Sequence, residues 1–194
     1  MGHAIHSILA RTRFQNVSGT RCATDFSELP STLMEHFAAD PSVLSLFARH
    51  WKTNRPVPQA LVSERIRLAH RFEGLDTEQQ ILLSLADQAF HSQHGFFGHL
   101  HSYGAGYYSY LFDRVLAERV WRKVFDAGRD GAAVSRLAGE RLKEKILRWG
   151  GARDPWRCLA DGLDDQRLAA GDAESMALVG SWGIKDHGAF GGDS

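Results

Sequence analysis

The chain has little that would point to a secreted, membrane-spanning or nucleic-acid-binding protein. Two cysteines in 194 residues are too few for a disulfide framework, which favours a reducing compartment. No apolar run approaches the roughly 20 residues that a membrane-spanning helix requires. The 23 basic and 23 acidic residues cancel, so the charge balance predicts no nucleic-acid partner.

Several catalytic motifs are also missing. The sequence contains no glycine-rich phosphate loop, no Cys-x-x-Cys pair and no Gly-x-Ser-x-Gly turn. No segment alternates apolar and polar residues with the period of a strand. With 43% hydrophobic and 24% charged residues, the composition is that of an ordinary globular domain. The sequence therefore predicts a mainly α-helical protein.

Apolar periodicity, capping residues and prolines divide the chain into predicted helices. We expect a helix over residues 1–11 and a second one from about 24 to the Asp40-Pro41 pair, where another helix begins. That third helix is predicted to bury its large apolar side chains, which are Val43, Leu44, Leu46, Phe47 and Trp51. The remaining predicted helices cover 59–72, 76–92, 107–126, 131–148 and 156–163.

A histidine and a carboxylate near the start could bind a metal ion. His3 lies on the first predicted helix, with His6 one turn later, and Glu28 begins the next long helix. Imidazole and carboxylate groups are common zinc ligands. Taken singly, each residue has an ordinary explanation, as a surface or core histidine or as a first-turn carboxylate that favours the helix dipole. Asp25 could equally be a helix cap.

The wider pattern resembles the M3 family of zinc metallopeptidases, the thimet oligopeptidase-like group. In that family a His-Glu-x-Gly-His motif precedes a stretch that reads Gly-Thr-x-x-x-x-Asp-Phe-x-Glu-x-Pro-Ser. This chain has Met-Gly-His at 1–3 and GTRCATDFSELPS at 19–31. The resemblance implies that His3 is the second zinc-binding histidine and Glu28 the carboxylate ligand, with Asp25 supporting a ligand through a hydrogen bond. The first His and the general-base Glu of the motif have no counterpart in this sequence.

A second segment, HLHSYGAGYYSYL at 99–111, is similar to a family segment that reads His-Leu-x-x-Tyr-Gly-Ala-x-Tyr-Tyr-Ser-Tyr-Leu. By resemblance, His99, Tyr103 and Tyr110 bind substrate and stabilise the oxygen on which negative charge builds, with Tyr107 a further candidate. A phenol or imidazole donor aimed at that oxygen lowers the barrier to peptide hydrolysis. The alternative reading is that tyrosines at helical spacing belong to the core.

The resemblance also implies a domain organisation. The chain would be the helical C-terminal part of a zincin-type catalytic domain, a single partial domain over residues 1–194. Its parts would be the zinc-ligand helices at 1–39, further helices at 40–92, the substrate-binding loop and helix at 93–126, and C-terminal helices with a tail at 127–194. The connection at 93–98 is shorter than the corresponding one in the family.

The activity implied is zinc-dependent peptide hydrolysis. Within the family, the resemblance is to members that remove short N-terminal peptides from precursor proteins imported into the mitochondrial matrix. The implied partners are a peptide or precursor substrate and the missing N-terminal part of the same protein, without which this chain is expected to be inactive. Two alternatives stay open: a non-catalytic helical protein that binds peptides or partners, and a cytoplasmic or bacterial-type oligopeptidase of the same family.

Overall fold

A computed structural model describes residues 1–93, 104–125 and 132–182. Within these ranges the only β-type pairing is an isolated bridge between Arg49 and Pro56, so the predicted mainly α-helical class is confirmed. The α-helices are α1 (Gly2–Leu9), α2 (Thr24–Ser27), α3 (Leu29–Ala39), α4 (Pro41–Phe47), α5 (Gln59–Ala69), α6 (Glu73–Gln93), α7 (Ser109–Val124), α8 (Arg136–Arg141), α9 (Pro155–Leu163) and α10 (Ala173–Trp182). A π-helical turn spans Leu142–Ile146, and 3-10 turns span Gln15–Val17, His70–Phe72, Ala132–Val134, Leu147–Trp149 and Gln166–Leu168.

An aspartate followed by a proline sets the boundary between α3 and α4. The Asp40 Oδ1 atom accepts the backbone N–H groups of Ser42 at 2.9 Å and Val43 at 3.0 Å, and Pro41 occupies the first turn. These contacts satisfy N–H groups that have no partner inside the helix, and proline lacks the N–H that would otherwise be unpaired. The chain therefore changes direction at the predicted place.

Helix α7 is the centre of the hydrophobic core. Its Leu116, Ala117 and Val120 are fully buried, and α2, α3, α6, α9 and α10 all contact the helix. Helix α3 contributes Leu29 and Leu33 to the same core, also without exposed surface. Because α2 and α3 both pack on α7, the residue between them, Glu28, lies next to the centre of the core.

Residues 59–93 form an exposed arm in which α5, the 3-10 turn at 70–72 and α6 follow one another without interruption. The arm contacts α4 near its start and α7 near its end. Many of its apolar side chains are exposed, namely Leu61, Leu68, Phe72, Leu75, Ile81, Leu82, Leu83, Leu85 and Phe90. Within the described ranges, no helix combines the length and apolar composition that crossing a membrane demands.

The predicted burial of the α4 segment is wrong for three side chains. Leu46 is 64% exposed, Phe47 67% and Trp51 83%. Apolar periodicity marks a face that favours burial, but it does not establish that the covering partner lies in the same chain. Cys22 and Cys158 are both free thiols, as the low cysteine count suggested.

Candidate metal centre

The two predicted zinc ligands lie side by side. His3 is in the first turn of α1, and Glu28 occupies the single residue between α2 and α3. The His3 Nε2 atom is 3.1 Å from the Glu28 Oε2 atom, and the two side chains are 50% and 26% exposed. An imidazole and a carboxylate that are 25 positions apart in sequence therefore meet at a surface that a solvated ion can reach.

The spacing of these two atoms agrees with a shared metal ion. Two ligand atoms that are each about 2.0–2.1 Å from a tetrahedral zinc lie roughly 3.3 Å from one another. The observed 3.1 Å is close to that separation. Across residues 1–93, 104–125 and 132–182, however, no third His, Cys, Asp or Glu side chain completes the group. The described residues thus supply two donors of a site that needs at least one more.

A glycine allows the two ligand-bearing helices to approach. A Cβ atom on Gly2 would lie 2.3 Å from both the carbonyl carbon and the carbonyl oxygen of Pro30, and 2.4 Å from the Ser31 Cα. These are backbone atoms, which cannot rotate away as a flexible side chain could. Helix α1 thus lies directly on the first turn of α3, and only glycine fits at position 2, next to His3.

We expect Gly2→Ala to separate α1 from α3 and to disrupt the contact between His3 and Glu28. The free energy of unfolding should fall by about 1–3 kcal/mol, as for other overpacked sites. Urea denaturation measures this change, with Gly139→Ala as the control because no atom lies within 4 Å of a Cβ placed there. Equal stability of Gly2→Ala and the unmodified chain would contradict the close packing described here.

The backbone of Glu28 is held by a buried carboxylate from α7. The Asp113 Oδ2 atom accepts the Glu28 N–H at 3.1 Å, and Asp113 has no exposed surface. Burial raises the pKa of Asp113 to about 8, and the nearby Asp25 and Glu28 carboxylates add to the rise. The N–H groups of Glu28 and Leu29 act in the opposite direction. This contact joins the core helix to the ligand-bearing residue.

The other acidic residue of the predicted site, Asp25, contacts a tyrosine. The Tyr108 hydroxyl donates to the Asp25 Oδ2 atom at 3.2 Å. Burial raises the pKa of the Tyr108 phenol, and the adjacent Asp25 charge raises it further. Among the contacts of the described residues, none joins Asp25 to His3, so its support of a zinc ligand stays a prediction.

The predicted substrate-binding residues fall partly within the described ranges. Tyr110 lies in the first turn of α7, half-buried, with its ring centroid 5.2 Å from that of Tyr107. His99 and Tyr103 lie outside the described residues. Tyr110 is thus on the helix that provides Asp113, which contacts Glu28, and close to the N-cap residue Tyr108, which contacts Asp25.

The segment before α7 is anchored to the end of α6. The Asp87 Oδ2 atom, from a side chain that is 1% exposed, accepts the Tyr107 N–H at 2.9 Å. The Gln88 side-chain amide donates to the Ala105 carbonyl oxygen at 2.8 Å, and Ala105 adopts a φ of 56°. These contacts fix the position at which the tyrosine-bearing helix begins.

His6 has a different environment from His3, although one helical turn separates them. Its side chain is fully buried, and neither ring nitrogen has a hydrogen-bond partner within the described part of the chain. Burial lowers the pKa of His6, the neighbouring His3 lowers it further, and the Leu147 backbone opposes the change. His6 is therefore a neutral core residue, which the sequence pattern alone could not distinguish from a ligand.

Sequence comparisons identify the family to which these residues belong. A sequence model of peptidase family M3 matches residues 1–96 and 91–178. Mitochondrial intermediate peptidase from Pyricularia oryzae is 58% identical over 218 aligned residues, covering 96% of this chain and 27% of the relative. The protein of the same name from Botryotinia fuckeliana is 56% identical, with 96% and 28% covered. The one from Aspergillus clavatus is 46% identical, with 98% and 29% covered.

Two features of these matches describe how the chain relates to its relatives. The chain spans little more than a quarter of the length of the curated relatives. The alignment to the Pyricularia oryzae protein extends over 218 residues, more than the 194 of the whole chain, so that relative has internal residues without a counterpart here. The two matched pieces overlap at 91–96, a range that includes the first part of the connection at 93–98 that is predicted to be short. By sequence, by its helical fold and by the paired residues at 3 and 28, this chain belongs to peptidase family M3.

Proposed function

We propose that this chain is the zinc-binding C-terminal part of a metalloendopeptidase. The observation that carries the proposal is the 3.1 Å contact between His3 Nε2 and Glu28 Oε2. These residues stand at the positions of the second histidine and the carboxylate ligand in the M3 motif. An imidazole and a carboxylate from two helices are a donor set that suits catalytic zinc, where three protein ligands leave a position open.

Each residue of the site has a proposed role. His3 and Glu28 hold the metal together with a third donor from outside this sequence, and both must be unprotonated to do so. The chemistry that a bound zinc contributes is polarisation of a peptide carbonyl and activation of a water molecule. Tyr110 donates a hydrogen bond to the carbonyl oxygen as negative charge builds on it. His99 and Tyr103 share that task, and Asp25 supports a zinc ligand.

The proposed substrates are precursor proteins imported into the mitochondrial matrix, from which the whole enzyme removes short N-terminal peptides. This part of the proposal is supported by the relatives, which are named mitochondrial intermediate peptidase and are up to 58% identical to the chain. The family's general-base Glu and first zinc His have no counterpart here. The isolated chain is therefore expected not to hydrolyse peptides.

Zinc binding by the purified chain tests the proposed ligands. We expect weak binding that is lost during dialysis, because the described residues provide two donors where three are usual. In zinc titrations followed by NMR, the signals of His3 and Glu28 should shift first. His3→Ala and Glu28→Gln should each remove that response, whereas Glu35→Gln, an exposed carboxylate on α3, should retain it. A response that survives in both ligand variants would contradict the assignment.

A second candidate function is supported by the exposed arm at 59–93. A surface with many exposed apolar side chains is typical of a site that binds another protein segment. A non-catalytic chain of this kind would bind partners without needing His3 or Glu28. Partner binding that is unchanged in His3→Ala and Glu28→Gln, with no zinc response in the unmodified chain, would favour this function.

A further inference from the structure

We propose that Asp113 is a positioning residue for Glu28. Its buried carboxylate holds the backbone of the residue between α2 and α3, and thereby sets where the Glu28 side chain meets His3. The link to zinc rests on the proposed function, but the contact between Asp113 and Glu28 is present in the metal-free chain.

The need for such a contact follows from the position of Glu28 in the chain. Helix α2 ends at Ser27 and α3 begins at Leu29, so Glu28 is the N-terminal cap residue of a new helix. The Glu28 side chain does not cap this start, and the first N–H groups of a helix lack partners within it. Asp113, 85 residues later in sequence, supplies the acceptor for the Glu28 N–H. The ligand-bearing turn is therefore fixed from outside rather than by its own sequence.

The energetic cost of Asp113 argues for a positional role. The residue has no exposed surface, and its Oδ1 atom has no hydrogen-bond partner within the described part of the chain. Burying a carboxyl group with one oxygen unpaired is unfavourable, and an apolar side chain of similar size often stabilises such a place. If position 113 only filled the core, leucine would be the more stable residue there. What Asp113 adds is an acceptor at 3.1 Å from one N–H group.

A second contact, from the residue that precedes α7, gives the turn a defined orientation. The hydroxyl of Tyr108, five residues before Asp113, donates to Asp25 at the start of α2. The one-turn helix α2 is thus held at its beginning through a side chain and at its end through the Glu28 backbone. Two points of attachment on one rigid helix fix the direction in which the Glu28 side chain leaves the backbone.

The test compares variants that keep or remove the acceptor. Asp113→Asn keeps an oxygen that can accept the Glu28 N–H, and Asp113→Leu has a similar branched shape without an acceptor. Asp113→Ala removes the acceptor without adding volume, should the leucine variant fail to fold. Ser109→Ala is the matched control, because Ser109 is a buried polar residue of α7 whose hydroxyl donates to the Gly106 carbonyl and not to α2 or α3.

The primary measurement is made without metal. In a chain that keeps Asp113, Glu28→Gln should shift the NMR signals of the His3 ring, because the two side chains are 3.1 Å apart. We expect this response to persist in the Asp113→Asn and Ser109→Ala backgrounds and to be lost in Asp113→Leu and Asp113→Ala. In zinc titrations, the midpoint at His3 should rise by about 10- to 100-fold in the two acceptor-free variants and stay unchanged in Asp113→Asn.

Stability separates positioning from a merely structural role. We expect Asp113→Leu to unfold at a urea concentration equal to or above that of the unmodified chain while the His3 response is lost. If Asp113→Leu and Asp113→Ala retain that response, the positioning role is overturned. If zinc does not shift His3 and Glu28 in the unmodified chain, the proposed zinc site fails, and the metal-free response still decides the role of Asp113.

Discussion

Glu28→Gln should abolish chelator-sensitive peptide hydrolysis in a chimera of this chain and a longer relative. The chimera is the Pyricularia oryzae relative in which the segment aligned to this chain is replaced by the chain itself. Glutamine has nearly the same shape as glutamate, but it binds zinc poorly because it carries no charge. We expect kcat/KM to fall by more than about 100-fold, beyond the loss typical of residues that contact a ligand from outside. Cleavage of a precursor-derived peptide measures the effect.

The control for this experiment is Glu35→Gln, which removes an exposed carboxylate from the same α3 helix and should leave the rate unchanged. A second form of the chimera restores the residues that the relative carries between the two matched pieces. Activity in that form alone would show that the shortened connection prevents catalysis. Full activity of Glu28→Gln in either form would exclude Glu28 as a zinc ligand.

Asp113 should make the metal-free chain less stable as the pH rises. Its pKa in the folded chain is about 8, above the 3.8 of a free aspartate, so the folded state binds more protons than the unfolded state between these values. The free energy of unfolding must therefore decrease from about pH 4 to about pH 8 and level off above. At about 1.4 kcal/mol for each pKa unit, the shift corresponds to a loss of several kcal/mol at most.

Urea denaturation between pH 5 and pH 9 in the presence of a chelator measures this dependence, and Asp113→Asn should flatten it and stabilise the chain at the alkaline end. Asp76→Asn, on an exposed position of α6, is the control. The carboxylates that act on Asp113 from the neighbouring elements are Asp25 and Glu28. Cys22 and Tyr108 also face Asp113, and because the pKa of each is raised, both stay neutral over most of this range. An Asp113→Asn profile that follows the unmodified one would show that Asp113 is already ionised at neutral pH.

The sequence predicted the helical class and the two candidate ligands because both depend on local patterns. Periodicity and the Asp40-Pro41 pair locate helices, and the family motif identifies His3 and Glu28. The structure adds their contact, which depends on how α1 crosses α3. That crossing requires glycine at position 2, because the backbone of Pro30 lies where a Cβ atom would be. The sequence alone does not show this contact.

Other features could not be read from one sequence, because they depend on which elements pack together. Asp113 was not identified, although a signal exists: it shares a helical face with Ser109, Leu116 and Val120, all buried, and a carboxylate on such a face needs a partner. The burial predicted for Phe47 and Trp51 is wrong because it depends on a partner that the pattern cannot supply. An apolar pattern shows that a side chain favours burial. It does not show whether this chain contains the residues that would pack against it.

The contacts that hold Glu28 and Asp25 have a consequence for the order of folding. The Glu28 N–H bonds to a residue 85 positions later in the chain, and Asp25 bonds to one 83 positions later. At about 5–20 residues per second, the ribosome needs roughly 4–17 s to add 85 residues. During that time the nascent chain carries His3 and Glu28 without the helix that aligns them. For the proposed zinc site, we therefore expect metal binding to follow the completion of α7 rather than the synthesis of His3 and Glu28.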